Sequence, residues 1–458
     1  MKSPIPRPKN RTMMKNKAWV AGGGLAGCEA AWALAEAGVP VTLYEMKPAR
    51  YSPAHKSPLL AELVCSNSFK AVRHISAAGL LKEEMRLLGS LCLACADRAA
   101  VSAGGALAVD REAFSRLVTE RIRSHPRIEV REEEVTEIPE GYGVIATGPL
   151  TSEALSAAIG SFCGQAYLSF YDASAPIVSA DSIDMSRVFY ATRYDRGEAD
   201  YLNCCFDKEE YDAFYEALVS AQTVELKEFE KQFFKVYEGC MPIEVMARRG
   251  RDTLRFGPMR PVGLKDPRTG HRPWANIQLR RENADGTLFN IVGFQTNLTF
   301  PEQKRVFSMI PGLENAEFHR YGVMHRNTFM DSPRLLDASF RLRKDPRLFF
   351  AGQLTGVEGY MESAASGIVA GRALAAVLAG REPAPLPAES MTGALCAYIS
   401  DPAVENFQPM GANMGILPPL PAPVRGKEQR YTAMADRGLQ AMARYVQEKE
   451  NWAGQSTE

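Results

Sequence analysis

The sequence predicts an α/β protein in which a Rossmann-type dinucleotide-binding domain is interrupted by an inserted α+β domain. Three apolar strands that each end in a glycine turn support this prediction, one near the N-terminus (17–27), one central (142–149) and one late (347–359). Between the last two, from about residue 186, helical patterns give way to long strand-and-turn sequence. Because a strand, a glycine turn and a helix together bind nucleotide phosphates, the late return of this pattern indicates one domain assembled from two segments.

The N-terminal turn contains the strongest of these signals. Gly22, Gly24 and Gly27 have the G-x-G-x-x-G spacing, which permits a tight turn, close approach of a pyrophosphate and close packing of the next helix. That helix begins with free N–H groups and a positive dipole end directed at the phosphates. A second apolar strand, Val39–Tyr44, ends at Glu45, 18 residues after Gly27, where a ribose-binding carboxylate is expected. A simple tight turn would not explain Glu45.

The two later turns favour FAD as the dinucleotide. Thr147 and Gly148 follow the central strand, and Gly352 follows the late strand, ahead of a predicted helix over Glu362–Leu378 that opens with small residues. The first turn would anchor the cofactor and the last would close over it. Tyr360 is a candidate for stacking near the flavin or a bound substrate ring, although packing alone would also explain a tyrosine. The predicted cofactor-binding residues are Gly22, Gly23, Gly24, Leu25, Ala26, Gly27, Glu45, Thr147, Gly148, Gly352 and Tyr360.

The composition excludes several classes of protein. The chain has 458 residues, enough for two or three domains, and its formal net charge is zero, so it is not a polycation. No apolar run approaches the roughly 20 residues that span a membrane, and the N-terminus lacks the apolar core of a signal peptide. Nine cysteines, an odd number with irregular spacing, indicate reduced thiols in the cytoplasm. Residues 1–16 are predicted to be a disordered extension, with initiation at Met13 or Met14 as an alternative.

One segment of this neutral chain is strongly basic. Between residues 246 and 281, ten basic residues are opposed by only two acidic ones, Asp252 and Asp266. A solvated surface would explain this charge, and so would contact with a phosphate backbone, because Phe256 and Trp274 interleave with it. The sequence leaves both interpretations open. The basic residues are Arg248, Arg249, Arg251, Arg255, Arg260, Lys265, Arg268, Arg272, Arg280 and Arg281.

Three cysteines have a context that suggests chemistry. Cys92 and Cys95 form a C-x-x-C pair in a predicted helix over 78–97, but no second pair or histidine cluster accompanies them. A buried helix face is therefore favoured over a zinc or redox site, and no metal site is predicted. Cys65 ends a short apolar run in the loop that leaves the second strand, and such a loop passes near the cofactor. Out of context, an inert buried thiol would be the simpler interpretation of Cys65.

Nine longer motifs are more specific. They are GGGLAGCEAAWALAEAGVPVTLYEM, AELVCSNS, AGGALAVDR, ATGPLTSE, EGCMPIEVMARRG, FGPMRPVGL, NIVGFQTNL, YGVMHRNTF and FFAGQLTGVEGYMESAASG. Through them the chain, from about Ala18 to Leu417, resembles the TrmFO family of folate- and FAD-dependent tRNA (uracil-5-)-methyltransferases, which are relatives of the GidA/MnmG flavoproteins. The resemblance implies an FAD-binding domain of the GidA and glutathione-reductase type.

The resemblance also implies a reaction. Reduced FAD takes the one-carbon unit of methylenetetrahydrofolate, with NAD(P)H as reductant, and the unit reaches carbon 5 of the T-loop uridine of tRNA, giving ribothymidine. Carbon 5 is a poor nucleophile until a group such as a thiolate adds at carbon 6, and a base must then remove the carbon 5 proton. The resemblance implies that Cys240 and Cys65 both take part, Cys240 as the nucleophile and Cys65 as the assisting acid–base group. His325 and Arg326 are weaker candidates for folate or flavin contacts.

Three alternative functions are weighed against this one. The first is a GidA-like flavoprotein that modifies the wobble uridine, which would have a much longer C-terminal helical region. The second is a non-catalytic flavin-binding protein that interacts with RNA, which would not need both Cys65 and Cys240. The third is a flavin oxidoreductase acting on small molecules, which would leave the basic segment unexplained.

The predicted domain organisation follows from the same signals. The extension at 1–16 precedes the first part of the FAD-binding domain at 17–185, the inserted tRNA or substrate domain at 186–334, and the second part of the FAD-binding domain with a C-terminal segment at 335–445. The expected partners are tRNA, methylenetetrahydrofolate and NAD(P)H, without a membrane and without an obligate protein partner.

Overall fold

The computed structural model describes residues 17–164, 168–195, 199–224, 241–405 and 407–454. The strands in these residues are β1 (Ala18–Ala21), β2 (Val41–Tyr44), β3 (Ser68–Ala71), β4 (Ala100–Val101), β5 (Ala106–Val109), β6 (Ile128–Arg131), β7 (Tyr142–Ile145), β8 (Leu168–Ala173), β9 (Ile177–Ser179), β10 (Val188–Ala191), β11 (Tyr201–Phe206), β12 (Ala275–Arg281), β13 (Leu288–Ile291), β14 (Phe318–Arg320), β15 (Met324–Phe329) and β16 (Leu348–Phe350). The helices are α1 (Leu25–Glu36), α2 (Ala77–Leu87), α3 (Leu91–Arg98), α4 (Arg111–Ser124), α5 (Glu153–Cys163), α6 (Lys208–Val219), α7 (Ile243–Ala247), α8 (Thr253–Phe256), α9 (Phe300–Phe307), α10 (Ser332–Leu335), α11 (Tyr360–Leu378), α12 (Met391–Ser400) and α13 (Lys427–Gly454).

The first sheet is parallel and has the strand order β16–β7–β1–β2–β6. Its central strands are short apolar runs that are almost wholly buried, which is typical of a parallel sheet covered by helices on both faces. The late strand β16 pairs with β7 in the register Leu348↔Gly143, so the sheet that begins with β1 is completed more than 300 residues later. An interrupted Rossmann-type sheet is what the three glycine turns predicted, and this part of the fold class is confirmed.

Helices α1 and α11 join the two segments of this part of the fold, because glycines allow their backbones to approach closely. A Cβ atom added at Gly367 would lie 2.1 Å from the carbonyl oxygen of Ala26, and one at Gly371 would lie 2.6 Å from that of Ala30. Side chains of any size would force the helices apart. The close contact brings the beginning of the late helix beside the beginning of the N-terminal helix.

The second sheet is antiparallel and has the order β10–β11–β12–β13–β9–β14. Its side chains alternate between two faces, as expected for strands. Leu202 and Leu279 lie in an apolar core that also contains side chains of α6 and α9. On the opposite face, Asn203 and Gln278 are joined by a 3.2 Å hydrogen bond. This sheet confirms the inserted α+β part of the predicted fold, and two smaller sheets, β8–β15 and β3–β5–β4, accompany it.

The range 78–97, predicted to be helical, forms two helices, α2 and α3, with a break between them. Gly89, between them, has a φ of +80°. The Ser90 hydroxyl caps the N-terminus of α3 by accepting a hydrogen bond from the N–H of Leu93. The apolar pattern continues across this break and so conceals it. Cys92 and Cys95 are buried free thiols of α3, in agreement with their interpretation as a helix face.

Helix α11 is a core helix. Among the helices of the described residues, α11 alone is long and apolar enough to cross a membrane. However, 72% of the apolar 18-residue stretch of this helix is buried inside the protein, against α1 and the parallel sheet. Its composition is therefore explained by packing in the core.

Candidate active site

The glycine turns converge on one cleft at the carboxyl edge of the parallel sheet, where ligands bind in folds of this class. Cys65 also lines this cleft. Gly27 does not: it lies behind the first turn, where an added Cβ atom would be 1.8 Å from the carbonyl oxygen of Gly22. The predicted cofactor-binding residues that line the cleft are Gly22, Gly23, Gly24, Leu25, Ala26, Glu45, Thr147, Gly148, Gly352 and Tyr360.

The beginning of α1 provides hydrogen-bond donors for a phosphate. Gly24 is its N-cap, so no side chain satisfies the free N–H groups of the first turn, and that turn contains no acidic residue. A Cβ atom at Gly24 would meet nothing within 4 Å, which means that the turn borders open space. Gly22 has a φ of +102° and is packed against Ala146, which only glycine permits. Free donors, a positive helix end and an open approach fit the pyrophosphate of FAD.

Glu45 stands where the ribose-binding carboxylate is predicted, in the wall of the cleft at the end of β2. One carboxylate oxygen accepts a hydrogen bond from the N–H of Gly23 at 2.9 Å, and the other accepts one from the N–H of Lys47 at 3.0 Å. These bonds fix the glycine turn against the end of the second strand. Contact with a ribose hydroxyl stays a prediction.

Cys65 is held in the cleft by Tyr360, the first residue of α11. The Tyr360 hydroxyl oxygen accepts hydrogen bonds from the N–H groups of Cys65 at 2.8 Å and Ser66 at 3.3 Å, and it lies 3.1 Å from the Cys65 sulfur. Burial and the adjacent Cys65 raise the pKa of Tyr360 well above its ordinary value, so the phenol keeps its proton. A residue of the late segment thus positions the Cys65 loop of the early segment.

Arg111, at the beginning of α4, supports the same loop from another side. Its guanidinium donates to the carbonyl oxygens of Leu63 and Val64 and forms an ion pair with Glu282. Burial opposes the charged form of Arg111, but the carboxylate of Glu282 outweighs it and raises the pKa of Arg111. Arg111 therefore stays a cation close to Cys65, although it is buried.

Arg280 and Arg320 bring two more cations to this loop from the second sheet. The strand register places them in one row across β12, β13, β9 and β14, on the polar face of that sheet. Arg280 donates to Ser66 Oγ and Asn67 Oδ1, both at 3.0 Å. Burial lowers the pKa of both arginines, and Cys65 is among the groups whose charge acts on Arg320. Cations beside a cysteine favour its thiolate, the reactive form.

Known proteins share both the sequence and the fold. Residues 17–382 match the protein-family model described as Glucose inhibited division protein A. The methylenetetrahydrofolate–tRNA-(uracil-5-)-methyltransferase TrmFO of Heliobacterium modesticaldum is 58% identical over 430 residues, which are 94% of this chain and 98% of that protein. The chain belongs to the TrmFO family. The protein of the same name from Enterococcus faecalis is 56% identical over 434 residues, which are 95% of this chain and 99% of the relative.

The solved structures of Aquifex aeolicus GidA share the fold of this TrmFO family member. The form II crystal structure matches with a TM-score of 0.69 at 17% identity, covering 94% of this chain and 73% of that one. The form I structure matches with a TM-score of 0.67 at 17% identity, covering 95% of this chain and 78% of that one. At this identity the likeness concerns the fold alone. It confirms the GidA-like fold that the family resemblance implied.

Lys47, His55 and Glu62 also line the cleft, but no motif in the sequence indicates them. Lys47 donates to the carbonyl oxygen of Leu59 at 2.6 Å and pairs with Glu62 at 3.3 Å. His55 shares a 2.6 Å hydrogen bond with Ser52, and burial together with the charge of Lys47 lowers the pKa of His55, which favours the neutral imidazole. These three residues lie in or beside the proline-containing loop after β2. Only the folded conformation of this loop brings them close to the glycine turns of the cleft.

Some predictions for the TrmFO site fall outside the described residues. Cys240, the predicted nucleophile, is one of them, and so are the side chains of His325 and Arg326. Residues 225–234, whose sequence has a helical pattern, also lie outside the described ranges. In the ranges that the structure describes, no group of three or more His, Cys, Asp and Glu side chains could hold a metal ion.

The basic segment is less uniform in the structure than in the sequence. Arg280 is buried beneath the Cys65 loop, so it belongs neither to a solvated surface nor to a phosphate-binding one. Arg251, Arg255 and Arg268 each form an ion pair with an aspartate, which reduces their net charge. Over the described part of the chain, the exposed basic residues for which no ion pair is seen include Arg248, Arg260, Lys265 and Arg272. These residues contribute to the remaining positive charge of the segment.

Proposed function

We propose that this protein transfers the one-carbon unit of methylenetetrahydrofolate to carbon 5 of the T-loop uridine of tRNA, giving ribothymidine, with FAD as its cofactor and NAD(P)H as reductant. The methylenetetrahydrofolate donor and the tRNA uracil acceptor are those in the names of the relatives. The observation that carries the proposal is the position of Cys65, which lies in the cofactor cleft 3.1 Å from the Tyr360 oxygen and among buried cations. A reactive thiolate beside a dinucleotide site is what pyrimidine methylation requires.

FAD would be held by the turns at Gly22–Gly24, Gly148 and Gly352, with Glu45 near its ribose and the Tyr360 ring near its flavin. Bound FAD supplies the electrons that convert the one-carbon unit to a methyl group. The chain's own part is to bind the pyrophosphate with the N–H groups at the beginning of α1.

The two cysteines would then act on the uracil ring. The Cys240 thiolate adds to carbon 6, and its electron pair makes carbon 5 nucleophilic toward the one-carbon unit. The Cys65 thiolate takes the proton from carbon 5, and expulsion of the Cys240 thiolate restores the double bond between carbons 5 and 6. Arg111 and Arg320 stabilise the Cys65 thiolate before this step, and Tyr360 fixes the position of its backbone.

The organisation of the molecule is also part of the proposal. The FAD-binding domain comprises 17–185 and 335–445, and the domain at 186–334 receives the tRNA. The protein works in the cytoplasm, where its folate, nicotinamide and tRNA substrates are present, and without an obligate protein partner.

A label-transfer assay tests this function. The purified protein, reconstituted with FAD, is given NADH or NADPH, methylenetetrahydrofolate labelled in its one-carbon unit, and unmodified tRNA transcript. The label should appear at the T-loop uridine. Cys65→Ala and Cys240→Ala should each lower the rate at least about 100-fold, the order of a lost acid–base or nucleophilic group. Cys163→Ala, which changes a half-buried thiol outside the cleft, should retain the rate.

Each arm of this assay can fail separately. Label that never reaches uridine would overturn the proposed reaction. Full activity of Cys240→Ala would remove the nucleophile assignment and leave the reaction itself in place.

A further inference from the structure

Phe256 is the most exposed large apolar side chain among the described residues. Its exposed fraction is 85%, against 50% for Phe300, which also stacks on Tyr321 at a ring distance of 4.8 Å. In the part of the chain that the structure describes, the Phe256 ring has no aromatic or cationic partner. Such exposure costs hydration free energy, so a ring displayed in this way indicates a binding surface.

The backbone beneath this ring is firmly anchored. Phe256 is the last residue of α8, between the fully buried side chains of Leu254 and Met259. The N–H of Met259 donates to the carbonyl oxygen of Leu254 at 2.9 Å, and the N–H of Asn276 in β12 donates to that of Met259 at 3.0 Å. The exposed ring therefore stands on a short helix that is tied to the core of the second sheet.

A second flat group lies next to it in the sequence. The guanidinium of Arg255 stacks 3.8 Å from the ring centre of Trp274 and donates to the Trp274 carbonyl oxygen at 3.0 Å. Trp274 is itself 37% exposed. Arg255 also pairs with Asp252 at 2.7 Å, so this stack is held in place from two sides.

The segment that contains Phe256 is rich in positive charge. Arg260, Lys265 and Arg272 are exposed and form no ion pair with a described carboxylate. An isolated aromatic ring in a basic segment suits a nucleic acid, which presents apolar base faces beside phosphates. A protein or lipid partner would instead need a broader apolar patch than one ring.

We propose that Phe256 is a stacking platform for an unpaired base of the tRNA, while Arg260, Lys265 and Arg272 contact the neighbouring phosphates. The proposal rests on tRNA as the substrate and adds how the inserted domain grips it. α7 begins three residues after Cys240, and α8 follows it closely, so the platform and the predicted nucleophile belong to one stretch of chain. The base that stacks here is one of the loop bases that tRNA leaves unpaired, and it is held away from the reacting uracil.

The test is a binding measurement on the FAD-loaded protein. Dissociation constants for unmodified tRNA transcript are measured at several salt concentrations for the wild type, Phe256→Ala and Phe256→Trp. Phe256→Ala should weaken binding about ten-fold, because base stacking on an aromatic ring is of that order, and should leave the salt dependence unchanged. Phe256→Trp should restore binding. Phe300→Ala, which removes another exposed phenylalanine, is the matched control and should bind like the wild type.

Two further measurements separate stacking from other contacts. Binding of a fully paired RNA duplex should be the same for Phe256→Ala and the wild type, because a duplex offers no free base. Arg272→Gln should instead weaken binding to both RNAs and reduce the salt slope by about one.

Several results would overturn the proposal. They are wild-type affinity of Phe256→Ala for tRNA, an equal loss of affinity for the duplex, or a change of oligomeric state in gel filtration, which would assign the ring to contact with a second copy. A wild-type protein that binds tRNA without methylating it would contradict the proposed function instead, and the binding test of Phe256 would still decide this proposal.

Discussion

At the scale of residues, the surroundings of Cys65 come from neighbours that are remote in sequence. Tyr360 holds its backbone, Arg111 holds the preceding carbonyl groups, and Arg320 adds an unpaired positive charge among the described residues. A cysteine with the same local sequence but without these neighbours would be an ordinary thiol. The environment, rather than the residue type, makes it a candidate for acid–base work.

The hydroxyl group of Tyr360 can be removed while its ring is kept. In Tyr360→Phe the N–H groups of Cys65 and Ser66 lose their acceptor. We expect kcat to fall about 10- to 100-fold, since leaving buried donors unsatisfied costs about 1–3 kcal/mol in the ordered loop. FAD content, measured by its absorbance, should stay at the wild-type level. Tyr398→Phe, whose hydroxyl bonds to Gln408 instead, is the control, and equal activity of both variants would contradict the assigned role.

At the scale of elements, two buried carboxylates each cap the N-terminus of a helix other than the one they belong to. Glu29 of α1 accepts hydrogen bonds from the N–H groups of Leu91 and Cys92 at the beginning of α3. Glu84 of α2 does the same for Met391 and Thr392 at the beginning of α12. Each carboxylate satisfies free N–H groups and faces a positive helix end. Burial nevertheless raises the pKa of both to about 7.

This burial makes stability depend on pH. The ordinary pKa of a glutamate is about 4.3, so the native protein binds a proton at Glu84 more tightly than the unfolded chain does. The resulting stabilisation is fully present below about pH 4.3 and is lost as the pH rises through about 7. Between about pH 4.3 and about pH 7, the free energy of unfolding should fall less for Glu84→Gln than for the wild type. The difference between the two falls should be on the order of 3 kcal/mol.

Urea unfolding at a series of pH values, with FAD in excess, measures this difference. The control is Glu83→Gln, which changes the neighbouring, exposed carboxylate of the same helix. If Glu84→Gln and Glu83→Gln show the same pH dependence as the wild type, Glu84 is not the titrating group.

At the scale of the whole molecule, the Cys65 loop also connects the small β3–β5–β4 sheet to the second sheet. Asn67 is fully buried, and its amide group donates to the carbonyl oxygens of Val109 and Arg281, both at 3.0 Å. Its oxygen accepts a hydrogen bond from Arg280. The Asn67 side chain thus joins β5 to β12 of the second sheet. The same loop that presents Cys65 sets the distance between the cofactor cleft and the polar face of that sheet.

Loss of this junction should affect both stability and activity. Asn67→Ala removes one of the two acceptors of Arg280 and the donor to two carbonyl groups, and we expect the free energy of unfolding to fall by about 2–4 kcal/mol. Flavin release and tryptophan fluorescence should then change at different urea concentrations, because the two cores lose their connection. Asn315→Ala, at an exposed position, should behave like the wild type. A single transition of wild-type midpoint in Asn67→Ala would contradict this account.

Much of the fold and the family could be predicted from the sequence, because their signals are local. The glycine spacing at Gly22, Gly24 and Gly27 requires a turn that few other residues permit, and the family motifs lie within short segments. The family and the fold class are confirmed. The domain limits, the ribose contact of Glu45 and the roles of Cys65 and Cys240 stay predictions.

The errors arose where a local pattern does not determine a long-range contact. The break at Gly89 interrupts an apolar periodicity that continues on both sides of it, and periodicity reports burial rather than continuity of a helix. Charge counting likewise placed Arg280 with the exposed basic residues, although it is buried. Whether an arginine faces solvent depends on what packs on its face of the sheet, and neighbouring residues in the chain do not specify that.

The sequence by itself indicated the dinucleotide turn and the interrupted α/β plan, because the glycine turns that predict them are short, local patterns. The family motifs brought forward Cys65 and Cys240 as candidates. The tertiary structure alone decided which groups surround Cys65. Tyr360 is 295 residues away from it along the chain, and Arg280 is 213 residues away from Asn67. Such partners meet only after the helices have packed and the strands have taken their register. Each glycine turn of the nucleotide site is therefore encoded in a short segment, whereas the surroundings of the Cys65 thiol depend on the packing of the whole molecule.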